Sequence, residues 1–393
     1  MNTFPNISAR VLRFAVLAAI VLTAFALPSC KARPLALGGK DFPALLESPG
    51  VEAREEGNPE SLRLAADRHI EALKKLLGQP RVPEDRKQRY RVLLAMAEGI
   101  RDAAGHPGFD LFLRRNFAFY RAGEPDSVLV TGYYTPLLNV SRSQSDRYVF
   151  PIFGRPTDLV SVNLADFSKD GYIHGRVDGG RLVPYYSRAE IEDGGALREE
   201  PIMYADDRLA LFFMHVQGSG VAMFDDGSRA RLAYAGGNGH PYSSLGKMLI
   251  DDGRISKDRM SMEAIRDYFA ARPDELDGYL RKNASYVFFK IADGGPFGST
   301  GTTVTPGRAI AADAATFPDM GIAYLETGVP AGKNADGTVK LQPYRAVIFH
   351  QDAGAAITGP ARVDLYFGEG EQAAFMAGNM KSRGTLYYLA PKE

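Results

Sequence analysis

The chain is 393 residues long, enough for two ordinary domains or one large one. Its 47 Lys+Arg and 47 Asp+Glu cancel, so no net field recruits nucleic acid or any other polyanion. With 1 Cys it forms no internal disulfide, and although it has no Trp, its 19 Tyr and 22 Phe supply faces on which sugars can stack.

Residues 1–30 read as an export signal. Arg10 and Arg13 precede an apolar run from Phe14 to Leu27, too short for an ordinary spanning helix. The run ends at Pro28-Ser29-Cys30, and residues 31–57, polar with Pro and Gly and little periodicity, read as a tether. Asn58-Pro59 then looks like an N-cap followed by Pro at the first helical position. Leu62, Ala65, Ala66, His69, Ile70, Leu73, Leu76 and Leu77 follow at helical spacing. His69 on that stripe reads as a packed core-edge histidine rather than a ligand. A second helix is predicted over Glu84 to Ala103 and a short aromatic one from Gly108 to Phe117.

The texture then changes. Val128 to Pro136 (VLVTGYYTP) reads as a strand with Thr131, Tyr133 and Thr135 on one face. From Asn139 to about Asp293 the chain is rich in Gly, Pro and short β-like runs, among them LALFFMHVQGSGVAMF. Asp225-Asp226-Gly227 is a hairpin turn signal. Helices are predicted near Ser244 to Asp251 and over Ser261 to Ala271, the latter ending before Pro273. Strands return at YVFFKIA, Gly298 to Gly307, RAIAADAATF and MGIAYLE; a helix over Glu371 to Met380 and a strand at TLYYLA end the chain.

Tyr344 to Gly368 carries the sharpest pattern. Two alternating runs flank a turn containing Gly354, Gly359 and Pro360, and period-two alternation predicts half-buried strands. In the second run Val363, Leu365 and Phe367 form the apolar face, and Arg362, Asp364 and Tyr366 point the other way. A mid-strand Asp is disfavoured by propensity, so Asp364 calls for a chemical reason. The 6 His show no ligand spacing, no cofactor motif is present, and no nucleophile elbow supports a Ser-His-Asp triad. The glycines around Gly236-Gly237-Asn238-Gly239 lack the strand–loop–Lys context of a phosphate loop.

Several long motifs occur in one order: GYYTP (132–136), YSRAEIEDG (186–194), HVQGSG (215–220), YAGGNGHPYSSLG (234–246), NASYVFF (283–289), TPGRAIAAD (305–313), QDAGAAITG (351–359) and VDLYFG (363–368). Together they resemble the membrane-bound lytic murein transglycosylase A family with its C-terminal 3D domain, over about Val128 to Leu389. The resemblance implies a mainly β fold: a double-psi β-barrel with an inserted second β-rich domain and N-terminal helices. The implied division is N-terminal helices plus the first barrel part over 58–138, an insert over 139–292 and the second barrel part over 293–393. The resemblance also implies a groove between the barrel and the insert that holds the glycan.

Cys30 resembles the lipidated cysteine of a bacterial lipoprotein, and Lys31 after it resembles an outer-membrane destination facing the periplasm. The loop departs from the family's usual DTGGAIKG at Ala355, where Gly is usual, and at Thr358, where Lys is usual. The three aspartates Asp313, Asp352 and Asp364 are untouched.

The implied activity is a peptidoglycan lytic exotransglycosylase, a lyase, acting on the β-1,4 bond between N-acetylmuramic acid and N-acetylglucosamine. A glycosidase ordinarily needs two carboxyl groups. Here the muramic acid's own C6 hydroxyl attacks, so one carboxyl serves as acid and then as base. Asp364 matches the family's catalytic aspartate. Asp352 reads either as a supporting carboxylate or as a cap on its turn, and Asp313 as structural. Tyr133, Tyr134 and Thr135 are expected to line the groove from the barrel side, and Gln217, Ser219 and Gly220 from the insert. Neither metal nor cofactor is expected. The expected partners are peptidoglycan strands, the outer membrane through the lipid anchor, and proteins of cell-wall synthesis or division. The alternatives are a peptidoglycan-binding lipoprotein without turnover and a hydrolase with a second carboxyl group across the groove.

Overall fold

The computed structural model describes Leu37 and residues 42–164, 171–354 and 357–392. Cys30, the export signal, the first part of the tether apart from Leu37, and Ala355 lie outside the described residues. In chain order, β1 (Leu45–Glu47) precedes helices α1 (Pro59–Leu77), α2 (Glu84–Ala103) and α3 (Phe109–Asn116). Strands β2 (Phe117–Ala122), β3 (Val128–Thr135) and β4 (Leu137–Ser141) follow. The middle of the chain holds β5 (Phe150–Ile152), β6 (Val160–Asn163), β7 (Tyr172–Asp178), β8 (Arg181–Pro184), α4 (Arg188–Glu192) and β9 (Met203–Ala205). It continues through α5 (Arg208–Gln217), β10 (Gly220–Phe224), β11 (Arg229–Gly237), α6 (Leu245–Asp251), α7 (Met262–Ala271), α8 (Pro273–Arg281) and β12 (Val287–Ala292). The C-terminal part is β13 (Ala309–Ala311), β14 (Ile322–Lys333), β15 (Val339–Asp352), β16 (Arg362–Glu369), α9 (Gly370–Asn379) and β17 (Lys381–Pro391).

The largest sheet runs β1-β2-β17-β14-β15-β13-β16-β3, and β17 also pairs with β3. That second pairing closes β17, β14, β15, β13, β16 and β3 into a barrel, which removes their free edges. Val130, Ile310, Ile348, Val363 and Leu386 belong to its core, and the same apolar cluster continues through Leu62, Leu73, Leu93 and Ile100 of the helices. A six-stranded sheet, β12-β11-β10-β4-β9-β5, forms the second body. Its two edges approach each other where the Phe289 N–H donates to the Phe153 carbonyl at 3.0 Å. Only Pro136 separates barrel strand β3 from insert strand β4.

Several local expectations need correction. Part of the predicted tether is built into the fold: β1 pairs antiparallel with β2, and Leu45 and Ala53 are buried. The two alternating runs of Tyr344 to Gly368 are not neighbours, because β13 lies between them, parallel to β15 and antiparallel to β16. Both faces of Ala346–Gln351 are buried, since α1 covers the side away from the barrel core. The apolar run before HVQGSG is a helix, α5. Asp207 caps its N-terminus by accepting from the Ala210 N–H, and Gly218 ends it at φ 75. A continuous apolar run suits a buried helix as well as a strand, and these caps decide the matter. Pro273 opens α8 instead of merely ending what precedes it, as its fixed φ and missing N–H allow at a first helical turn. Gly298 to Gly307 forms turns around one isolated bridge, Phe297↔Thr303, not a strand.

Candidate active site

The barrel brings five strands into one row. Lys381 of β17 pairs with Thr131 of β3, Thr131 with Asp364 of β16, Asp364 with Ala311 of β13, and Ala311 with Asp352 of β15. Residues directly opposite in paired strands point to the same face. Alternation sends Val363 and Leu365 into the barrel core, so Asp364 faces outward. Two strand spacings separate Asp364 from Asp352, about 9.5 Å between backbones.

Asp364 is half-buried and held from two sides. The Thr131 hydroxyl donates to its Oδ1. Arg362, two residues earlier on the same strand face, donates Nε to Oδ1 at 3.2 Å and Nη2 to Oδ2 at 3.3 Å. Arg362 Nε also reaches the Thr131 hydroxyl at 3.2 Å, so the three side chains form a closed set.

Asp352 sits at the end of β15, where its Oδ1 accepts the Ser299 and Ala353 N–H groups, both at 2.8 Å. Burial raises its carboxyl above the ordinary range, and these donors together with the Tyr133 hydroxyl only partly offset the rise. Tyr133 is raised in turn, first by desolvation and then by the Asp352 charge. Its ring packs on Tyr366 at 5.0 Å, and the Tyr366 hydroxyl meets the Thr135 hydroxyl at 2.8 Å.

Asp313 does a different job. It accepts from the Gly359 N–H at 2.6 Å, the Ala315 N–H at 2.9 Å and the Thr316 hydroxyl at 2.9 Å. It thereby pins the loop between Asp352 and Asp364, and the Gly359 bond is the first cause of its lowered carboxyl. Thr358 on that loop is exposed.

The remaining expected groove residues divide. Gln217, at the end of α5, accepts from the Tyr134 backbone N–H at 3.4 Å, which ties insert to barrel beside the row. Ser219 is half-buried in the short link from α5 to β10. Tyr134 does not face the aspartates: it packs under α9 with Ala373 and Ala377, and its hydroxyl meets Arg266. Gly220 is buried for packing, because a Cβ there would lie 2.4 Å from the Met214 sulfur.

Three participants went unassigned in the sequence reading: Arg362, Thr131 and Tyr366. Alternation had put Arg362 and Tyr366 on the Asp364 face and Thr131 beside Tyr133. The missing information was that β3 and β16 lie side by side. His69 is buried as expected, its ring at 4.8 Å from Phe349, with Nδ1 accepting from Gln351 at 3.2 Å and Nε2 donating to the Met320 carbonyl. Among the described residues no cluster of His, Cys, Asp and Glu is arranged to hold a metal.

The sequence matches the MltA specific insert domain over residues 129–290 and the 3D domain over residues 308–390. The chain belongs to the membrane-bound lytic murein transglycosylase A family. It is 33% identical to the family member of Escherichia coli K12 over 266 residues, 67% of this chain and 66% of that protein. Against the member from Vibrio cholerae it is 31% identical over 266 residues, 67% of this chain and 65% of that one. Those alignments thus span just under two thirds of each relative. Among solved structures, MltA from Neisseria gonorrhoeae superimposes with a TM-score of 0.71 at 28% identity, covering 93% of this chain and 96% of that one. E. coli MltA with bound chitohexaose gives 0.67 at 25% identity, over 92% of this chain and 100% of that one. No helix among the described residues is long and apolar enough to cross a membrane.

Proposed function

We propose that this chain is a lytic murein transglycosylase. It cleaves the β-1,4 bond between N-acetylmuramic acid and N-acetylglucosamine and leaves 1,6-anhydromuramic ends. The observation that carries the reading is Asp364: a lone mid-strand carboxylate on the outward row of a closed barrel, bracketed by Thr131 and Arg362 and flanked by Tyr133. A family relative has been solved with a chitin-type hexasaccharide, which supports a glycan as the ligand.

In this reading the incoming sugar meets Arg362 and Thr131, and Asp364 acts first as the proton donor. Asp364 gives that proton to the glycosidic oxygen as the bond to the anomeric carbon breaks. The muramic C6 hydroxyl closes on that carbon and returns its proton to Asp364. No water is consumed, and the attacking oxygen is held within the substrate itself. Asp352 and Tyr133 shape the row beside it, and Asp313 keeps the intervening loop in place. Lipidation at Cys30 holds the enzyme on the periplasmic face of the outer membrane, near proteins of wall synthesis or division.

Digestion of purified sacculi followed by mass spectrometry tests this. Anhydromuropeptides are expected from the wild type, and none from Asp364→Asn, which keeps its fold. Products heavier by one water would point to a hydrolase that uses Asp352 as the second carboxyl group. An absence of soluble product would leave only a glycan-binding role. Full turnover by Asp364→Asn would remove that residue from the mechanism.

A further inference from the structure

A depression on the insert lies away from the aspartate row. It encloses about 590 Å³ and is lined by Gly154, Arg155, Ile202, Tyr234, Phe289, Lys290 and Ile291, with Ala235 between them. It forms at the seam where the edge of the insert sheet meets the segment after β5, beside the Phe289–Phe153 bond. Tyr234 is 54% exposed and Ile291 60% exposed, an unusual amount of solvent contact for adjacent large apolar groups. Phe289 is buried beneath them. Arg155 and Lys290 are among the lining residues, and no carboxylate is. Arg155 spends its Nη2 on the Leu159 carbonyl at 2.8 Å and the Ser161 hydroxyl at 2.9 Å, which holds its guanidinium in position. Lys290 is exposed on edge strand β12, opposite Ala233.

The place of this depression relative to the row is set by β11. Arg231 of that strand pairs with Glu369 of β16 at 2.7 Å, and Glu369 pairs in register with Thr135. Tyr234 lies three residues further on, roughly 10 Å along the strand from the barrel contact. A polymer whose glycan crosses the outer face of the barrel therefore has this surface within reach of a side branch.

We infer that this depression is a second substrate site, one that binds the anionic peptide stem carried by muramic acid. The inference rests on the transglycosylase reading for the identity of the polymer. A stem peptide alternates small methyl groups with carboxylates. Its methyls and aliphatic chain match Ile202, Phe289, Ile291 and the ring of Tyr234, and its carboxylates match Arg155 and Lys290. The site raises the affinity for wall carrying intact stems and takes no part in bond cleavage.

Two measurements test it on the full chain with Tyr234→Ala and Lys290→Glu, each on an exposed side chain and neither in the aspartate row. In calorimetry, a free stem tetrapeptide is expected to bind the wild type and Asp364→Asn equally. Binding weakens about tenfold in Lys290→Glu, a loss of roughly 1.4 kcal/mol. In turnover, both variants are expected to raise KM for stem-bearing sacculi with kcat unchanged, and to match the wild type on glycan stripped of its stems by an amidase. Undetectable binding of the tetrapeptide to the wild type would overturn the inference, as would equal affinity in all variants. A fall in kcat on stripped glycan would also overturn it. If the wild type bound the stem but released no anhydro product, the transglycosylase reading would fail while this site stood.

Discussion

Asp352 and Asp313 hold opposite ends of the same structural problem, and they respond to pH in opposite senses. Burial lifts Asp352, so its folded form prefers the proton. Its contribution to stability is fully present below the unfolded carboxylate range, near about 3.9, and is lost as pH rises through the folded value. Asp313 is lowered by the Gly359 N–H and its companions, so its contribution is present above that range and is lost as pH falls through the folded value. Asp352→Asn is therefore expected to gain stability relative to the wild type as pH rises above the unfolded carboxylate range. Asp313→Asn should lose stability near neutrality, with the deficit shrinking in acid. Urea midpoints at several pH values, with unchanged slopes, would check both signs. A deficit in Asp352→Asn that grows with pH would contradict the burial argument.

At the scale of elements, the close approach of α9 to β3 depends on Gly132. A Cβ there would lie 2.6 Å from the Phe367 ring and 2.8 Å from the Ala377 Cα, and the second of these is backbone that cannot step aside. Gly132→Ala is expected to cost about 1–3 kcal/mol and to disturb Thr131 and Tyr133 on either side. A lowered denaturant midpoint with a parallel loss of turnover would agree, and an unchanged midpoint would not. The strands here were readable where one face is apolar, as in β3 and β16, and that pattern alone singled out Asp364. The capping box at α4 was also present in the letters, with Ser187 and Glu190 capping each other reciprocally. Helix α5 was not readable as such. LALFFMHV carries no clear period because Leu211, Phe212, Phe213, Met214 and His215 are all buried, so every side of the helix has a neighbour. Pairing is a third kind of information. No local pattern announces that β13, three residues long, will part β15 from β16 and set Asp352 and Asp364 on either side of Ala311.

Across the whole molecule, the N-terminal segment is fastened by one buried ion pair. Arg308, beside the 3D-domain barrel strand β13, meets Glu55 at 2.9 Å, with 2% and 6% of the two side chains exposed. The same guanidinium donates to the Val347 and Asn58 carbonyls, and Glu55 also accepts from the Val347 N–H at 2.7 Å. Removing one member of such a pair leaves a charge uncompensated in the interior, which is costlier than losing an exposed bridge. Glu55→Ala is expected to lower stability by about 3–5 kcal/mol, and Glu55→Gln by less because its carbonyl oxygen still accepts. Chemical denaturation of both variants would measure this, and equal losses would mean that the charge, not the remaining hydrogen-bond acceptor, carries the whole contribution.

The barrel has a consequence for how the chain assembles. The Thr131 and Asp364 side chains that meet at its seam are 233 positions apart, and a folded sheet and several helices intervene between their strands. Joining such distant segments in an unstructured chain is slow, because the closure entropy is lost before any pairing rewards it. An insert that folds early changes the problem. Its first strand leaves the barrel through Pro136, and its Arg231 reaches back to Glu369, so a completed insert acts as a clasp that shortens the remaining search. The carboxylate at the seam thus depends on the insert for more than its position: an insert that folds first shortens the loop that must close before Thr131 meets Asp364.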